Sequence, residues 1–208
     1  MTRYAVLPLL ALALLGPALA AGPIDAAYAA YQRGDLSGAL AQYRKLAQRG
    51  DGLAQFNYAM MLKRGEGPGG GVDWFPWLQK AAEAGVMNAA YALGLVYENG
   101  DGVNRSQPDA TRWFRAAAEK GHTQAQLSLG TQYFLGRGIE RDYREAARWY
   151  EAAAEGGDMA AQYLIASMYE HGDGVEADRA RALSWYAAAA RQGDETAKLK
   201  AEALARGK

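Results

Sequence analysis

Few side chains in this sequence are spaced for polar chemistry. The 208 residues contain two histidines, His122 and His171. A metal or acid–base pair needs its imidazoles on neighbouring positions of one face or loop. These two fall after the end of one helix pattern and at the end of another, which predicts two separate, solvated, helix-terminal imidazoles. Asp101 and Asp173 stand in Gly-Asp-Gly turns. A calcium loop would need a dense D-x-D-x-D-G run with a Glu further on, and none follows. Serine motifs of the S-x-x-K, K-T-G and G-x-S-x-G types are missing, as are Walker and dinucleotide fingerprints. Glu119, Lys120 and Glu155 are charges on the wet side of a helix. Cysteine is absent, which excludes disulfides, thiol catalysis and thiolate metal sites. The residues predict a protein that is not an enzyme and carries no metal or cofactor.

Charge points away from two partner classes. Lys and Arg number 23, as do Asp and Glu, so no net field favours nucleic acid or an acidic membrane. Residues 1–20 predict a secretory signal peptide. Arg3 precedes the apolar run Tyr4–Leu15, Gly16-Pro17 breaks it, and Ala18-Leu19-Ala20 gives a small-x-small end, with cleavage after Ala20 or Ala21. An uncleaved membrane anchor is the alternative, because the uncharged stretch is at the short limit of a bilayer span. No Cys or twin Arg marks a lipoprotein or twin-arginine route. Removing Arg3 leaves 22 basic against 23 acidic groups. The predicted location is periplasmic or secreted, with no stable membrane insertion after cleavage.

The elements that position everything else are repeats. Residues 87–122, 123–158 and 159–194 align without gaps at a period of 36. Residues 52–86 form a shorter, irregular copy, 25–51 an N-terminal capping hairpin and 195–208 a C-terminal capping helix. Ala125, Leu129 and Tyr133 lie four apart, as do Ala89, Leu93, Tyr97 and Ala161, Ile165, Tyr169. This spacing places each set on one face of a first helix, A. A small residue recurs on it: Ala59, Gly94, Gly130, Ala166. Gly65, Gly100, Gly136 and Gly172 then begin Gly-x-Gly, the first Gly suiting a left-handed helix end and the second a tight return. A second helix, B, carries Trp113-Phe114, Trp149-Tyr150 and Trp185-Tyr186, with alanines as hollows between the aromatic bumps. Ala numbers 45 and favours helix throughout. One such hairpin cannot bury its apolar face, so the expected fold is all-α, an α/α superhelical solenoid of stacked helix-turn-helix repeats.

The pattern A-Q-x-x-L-G-x-x-Y, G-x-G-(V/I), A-x-x-W-Y-x-x-A-A-x-x-G-D, seen nearly throughout 125–158, resembles the Sel-one-like repeat family, relatives of the tetratricopeptide repeats. The resemblance implies an α/α solenoid that binds other proteins as a regulator, adaptor or assembly factor, with bacterial members often periplasmic or secreted. A disulfide-rich secreted branch is linked to β-lactams; the lack of Cys disfavours it and leaves a cell-envelope hydrolase or ligand binder (β-lactam or peptidoglycan fragment) as the alternative. In tetratricopeptide-like stacks the concave wall is formed by helix-A residues three before and one after the small position. Here these are Phe56, Tyr91, Leu127, Tyr163 and Met60, Leu95, Thr131, Ser167. They are expected to receive a partner protein or peptide by apolar and aromatic contact, or else to pack the repeats together. Trp74 and Phe75 depart from the repeat, standing where later copies have Ala110-Thr111 and Ala146-Ala147, beside the Gly67–Gly71 loop. They are either an exposed anchor or a local repacking.

Overall fold

Helix limits along the chain are set by short polar caps and glycines. The computed structural model describes residues 22–68 and 73–206; the signal-peptide reading concerns residues outside these. The described residues form eleven helices and no strand: α1 (Pro23–Gln32), α2 (Leu36–Ala47), α3 (Gly52–Arg64), α4 (Phe75–Glu83), α5 (Met87–Asn99), α6 (Gln107–Ala118), α7 (Thr123–Leu135), α8 (Tyr143–Glu155), α9 (Met159–His171), α10 (Arg179–Arg191) and α11 (Glu195–Ala205). The fold is the expected all-α array of helical hairpins. No helix among the described residues is long and apolar enough to cross a membrane.

Eight of the eleven helix starts among the described residues are capped by a side chain that accepts a first-turn N–H; those of α1, α4 and α5 are not. Asp35, Asp51, Asp142, Asp158, Asp178 and Asp194 do so, with Ser106 and His122 in the same role. Each such bond is worth about 1 kcal/mol. Helices α3, α5, α7 and α9 end on Gly65, Gly100, Gly136 and Gly172 at φ of 68–78°, the left-handed conformation expected of them.

The chain divides into two compact units between Ala84 and Gly85. In the first, α1 packs on α2, α2 on α3 and α3 on α4. Its core gathers Ala27, Ala39, Leu40, Tyr43, Ala54, Tyr58 and Met61, with Trp77 packed against it. The second unit runs α5 to α11, each helix packing on the next. Its C-terminal core holds Tyr150, Ile165, Met168, Tyr169 and Tyr186 among alanines.

The small position of helix A admits the aromatic of its own helix B. A Cβ on Gly130 would meet Tyr150 Cδ1 at 2.7 Å, and one on Gly94 would overlap the Phe114 ring. In α11 the small position is Glu202, paired with Arg206 at 2.9 Å. The second glycine of Gly-x-Gly does more than turn the chain back on itself. Gly138 and Gly174 are both left-handed, and an added Cβ would run into the carbonyl oxygens of Gln107 and Tyr143, where the preceding helix B begins. A third recurring contact uses the Gln of the A-Q pair. Gln55, Gln126 and Gln162 donate to the carbonyls of Ala47, Ala118 and Ala154 at 3.2, 3.3 and 3.2 Å. Each bond ties a helix A to the end of the helix B before it.

Candidate functional site

The two helix-A rows are not uniformly open. In the first unit Phe56 is buried, 5% exposed, so it serves the scaffold and presents no groove surface; Met60 is half-buried. In the second unit Tyr91, Leu127 and Tyr163, and Leu95, Thr131 and Ser167, are all half-buried. Leu199 on α11, one period after Tyr163, is 67% exposed. It was readable from the period, because residue 199 is 36 places beyond 163.

The aromatic members of the row are held by neighbours. The Tyr91 ring stacks on His122, with centroids 4.4 Å apart and planes at 28°, and lies 5.8 Å from Phe114. Burial, followed by the charge of Glu98, raises the pKa of its hydroxyl, against a bond to Ser128 that lowers it. Tyr163 packs edge-on against Tyr186 at 5.3 Å. The Tyr186 hydroxyl donates to Glu170 at 2.7 Å, and Lys200 donates to the same carboxylate at 3.1 Å. Thr131 Oγ1 donates to the Leu127 carbonyl and accepts from the Tyr150 hydroxyl. Much of each ring is therefore occupied inside the second unit; Leu127 is likewise half-buried against the core, and Leu199 is the most open member of the row.

Both histidines lie at helix ends, as expected, but only His171 is exposed; it contacts the Ser167 carbonyl through Nδ1 at 2.8 Å. His122, expected to be solvated, is half-buried beneath Tyr91. Among the described residues no three His, Asp or Glu come together to hold a metal ion. A cleft beside residues 175–178 is lined by Tyr169, Asp178 and Arg181. Two of its polar groups are held by Glu151 outside the lining: Arg181 donates to that carboxylate at 2.6 Å and lies over the Tyr169 ring, whose hydroxyl also donates to it.

The helix-B tryptophans are buried to different degrees. Trp149 is 7% exposed with Arg148 stacked 4.3 Å from its ring centroid, while Trp113, under Arg112, and Trp185 are half-buried. Trp74 and Phe75 open α4 and are also half-buried. They meet edge-on at 5.8 Å, with the Lys63 ammonium 4.7 Å from the Trp74 ring.

Comparison with known proteins places this architecture. The Sel1 repeat model matches residues 52–73, 76–86, 88–122, 123–158 and 160–194. The chain is similar to a Sel1 repeat protein from Oxalobacter formigenes: 31% identity, TM-score 0.78, covering 85% of this chain and 73% of that one. It is also similar to a protective antigen of uropathogenic Escherichia coli strains with an SLR fold: 36% identity, TM-score 0.70, covering 76% of this chain. This chain spans about a third, 34%, of that antigen's length. No curated protein matches. Sel1 repeats generally mediate protein–protein interaction as non-enzymatic scaffolds. With five repeat matches spread over most of its length, the chain belongs to the Sel1 repeat family.

Proposed function

We propose that this protein is a non-catalytic scaffold of the cell envelope, exported by the segment 1–20, that captures a partner protein or peptide on its helix-A face. The observation that carries the reading is the row Tyr91, Leu127, Tyr163, Leu199 in the second unit. It combines apolar side chains at one repeat position with partial exposure, rising to 67% at Leu199. Leucine and tyrosine at such spacing suit an extended or helical segment that offers its own apolar side chains.

The test is crosslinking capture from periplasmic extract with the wild type and with Leu127→Ser and Leu199→Ser. Leu199 is mostly exposed and Leu127 half-buried against the core, so loss of capture without a change in melting temperature, above all in Leu199→Ser, supports the reading. An anchor residue typically contributes about 1–3 kcal/mol, a loss in capture of roughly five-fold or more. Undiminished capture by the double variant would exclude the face. Detection of the precursor and the cleaved chain in cell fractions tests export.

A further inference from the structure

His122 departs from the repeat, and its surroundings give that departure a consequence. The residue capping helix A is Asp51, Asp158 and Asp194 in three other copies. Their carboxylates accept the N–H of Ala54, Ala161 and Ala197 at 2.9, 2.8 and 2.9 Å. At the same position before α7, the N–H of Ala125 is shared between His122 Nδ1 at 3.2 Å and the His122 backbone carbonyl at 3.0 Å. A carboxylate keeps its acceptor down to about pH 4, whereas an imidazole nitrogen accepts only while the ring is neutral. Protonation turns Nδ1 into a donor facing the Ala125 N–H. It also sets a cation at the positive end of the α7 dipole.

The same ring carries the Tyr91 stack at 4.4 Å. A charged imidazole is attracted to the tyrosine face, which offsets part of the loss, but the cap and the helix dipole both oppose the charge. The titratable and charged groups around the pair are few. Tyr91 faces His122 from α5; Glu98 on α5 and Asp158 at the start of α9 act on Tyr91 and oppose its ionisation. Glu119 and Lys120, in the turn before His122, are exposed.

We propose that His122 is a pH-sensitive latch: neutral, it adds a side-chain cap to α7 and clamps Tyr91; protonated, it withdraws that cap, leaving the Ala125 N–H to the backbone carbonyl alone, and frees the Tyr91 ring. Burial holds the imidazole below its ordinary range, consistent with a site built for the neutral form. Since the folded value is lowered, the unfolded chain takes up the proton first. The latch is at full strength above about pH 6.5 and is lost as pH falls through the folded value. This inference does not depend on the helix-A face being the partner site.

Amide exchange and ring NMR signals of the full chain between pH 7.5 and 5 provide the test, with exchange corrected for its intrinsic pH dependence. Ala125 is expected to lose protection by about five-fold or more, the scale of a lost cap, as the His122 ring titrates. Tyr91 ring signals should shift with the same midpoint, and Ala161, capped by Asp158, serves as the internal reference. His122→Asp, with His122→Asn as a second non-titrating acceptor, should abolish both changes. Unchanged Ala125 protection while His122 titrates overturns the latch, as does an equal loss in either variant.

Discussion

Gly130 lies against the ring of Tyr150 with no room for a methyl: the missing Cβ would sit 2.7 Å from Cδ1. Tyr150 is itself buried, with its hydroxyl bonded to Thr131, so the ring has little freedom to move aside. Gly130→Ala should therefore destabilise by about 1–3 kcal/mol, the usual cost of overpacking, despite the better helix propensity of Ala. Gly94→Ala, against Phe114, should do at least as much. Urea unfolding of both variants checks this; a gain in stability would show that the ring yields.

The two glycines of each Gly-x-Gly turn should differ in cost. Gly136 and Gly138 share a left-handed backbone, at φ of 69° and 70°, so a side chain strains either by roughly 1–2 kcal/mol. At Gly136 an added Cβ meets Arg141 Cβ at 3.2 Å, whereas at Gly138 it collides with the Gln107 backbone. Gly138→Ala should lower the melting temperature more than Gly136→Ala. Gly174 and Gly172 should repeat the order.

Trp149→Ala should cost about 3–5 kcal/mol, as expected for a buried large aromatic, and Trp185→Ala should cost less. Trp149 is buried between neighbours while Trp185 is half-buried. Denaturant titration of both gives the comparison.

Glu170 provides the acid-sensitive part of the C-terminal packing. Burial pushes its pKa up, but the bonds from Tyr186 and Lys200 outweigh burial and leave it lowered. A lowered folded value means a stabilisation present above the ordinary carboxylate range near 4.3 and lost as pH falls through the folded value. Lys200→Met should reduce stability at pH 6 more than at pH 3, flattening the dependence. Equal loss at both pH values would show that Lys200 acts through packing alone.

The architecture was legible because it is written several times. A period of 36, a recurrent Gly at each helix-A end and the Trp-aromatic pair on helix B are local signals that repetition makes unambiguous. The rest depends on which side chains approach one another in space. Gln126 and Gln162 were visible as part of a motif, yet their bonds to Ala118 and Ala154 exist only once the hairpins stack. The second glycine was read as a turn residue because its contact, the preceding helix B, is some thirty residues away. Phe56 and Tyr91 share a repeat position, but burial separates them: Phe56 is enclosed, and Tyr91 is clamped by a histidine that replaces the usual aspartate. His122 itself could be seen as a helix terminus, whereas its ring partner lies on another helix.

The contrast between the chain's two kinds of turn bears on where it tolerates additions. At Gly138 and Gly174 the backbone is pressed onto the start of an earlier helix, so any inserted residue must force two hairpins apart. The turns after helix B are different: beside Gly121, Gly157 and Gly193 there is nothing within 4 Å of an added Cβ. Those glycines mark open joints where an epitope or a tether would meet no neighbouring atom, provided the left-handed glycine and the capping residue after it are both kept. Their spacing of 36 residues would put successive labels at equivalent places on consecutive hairpins of the second unit.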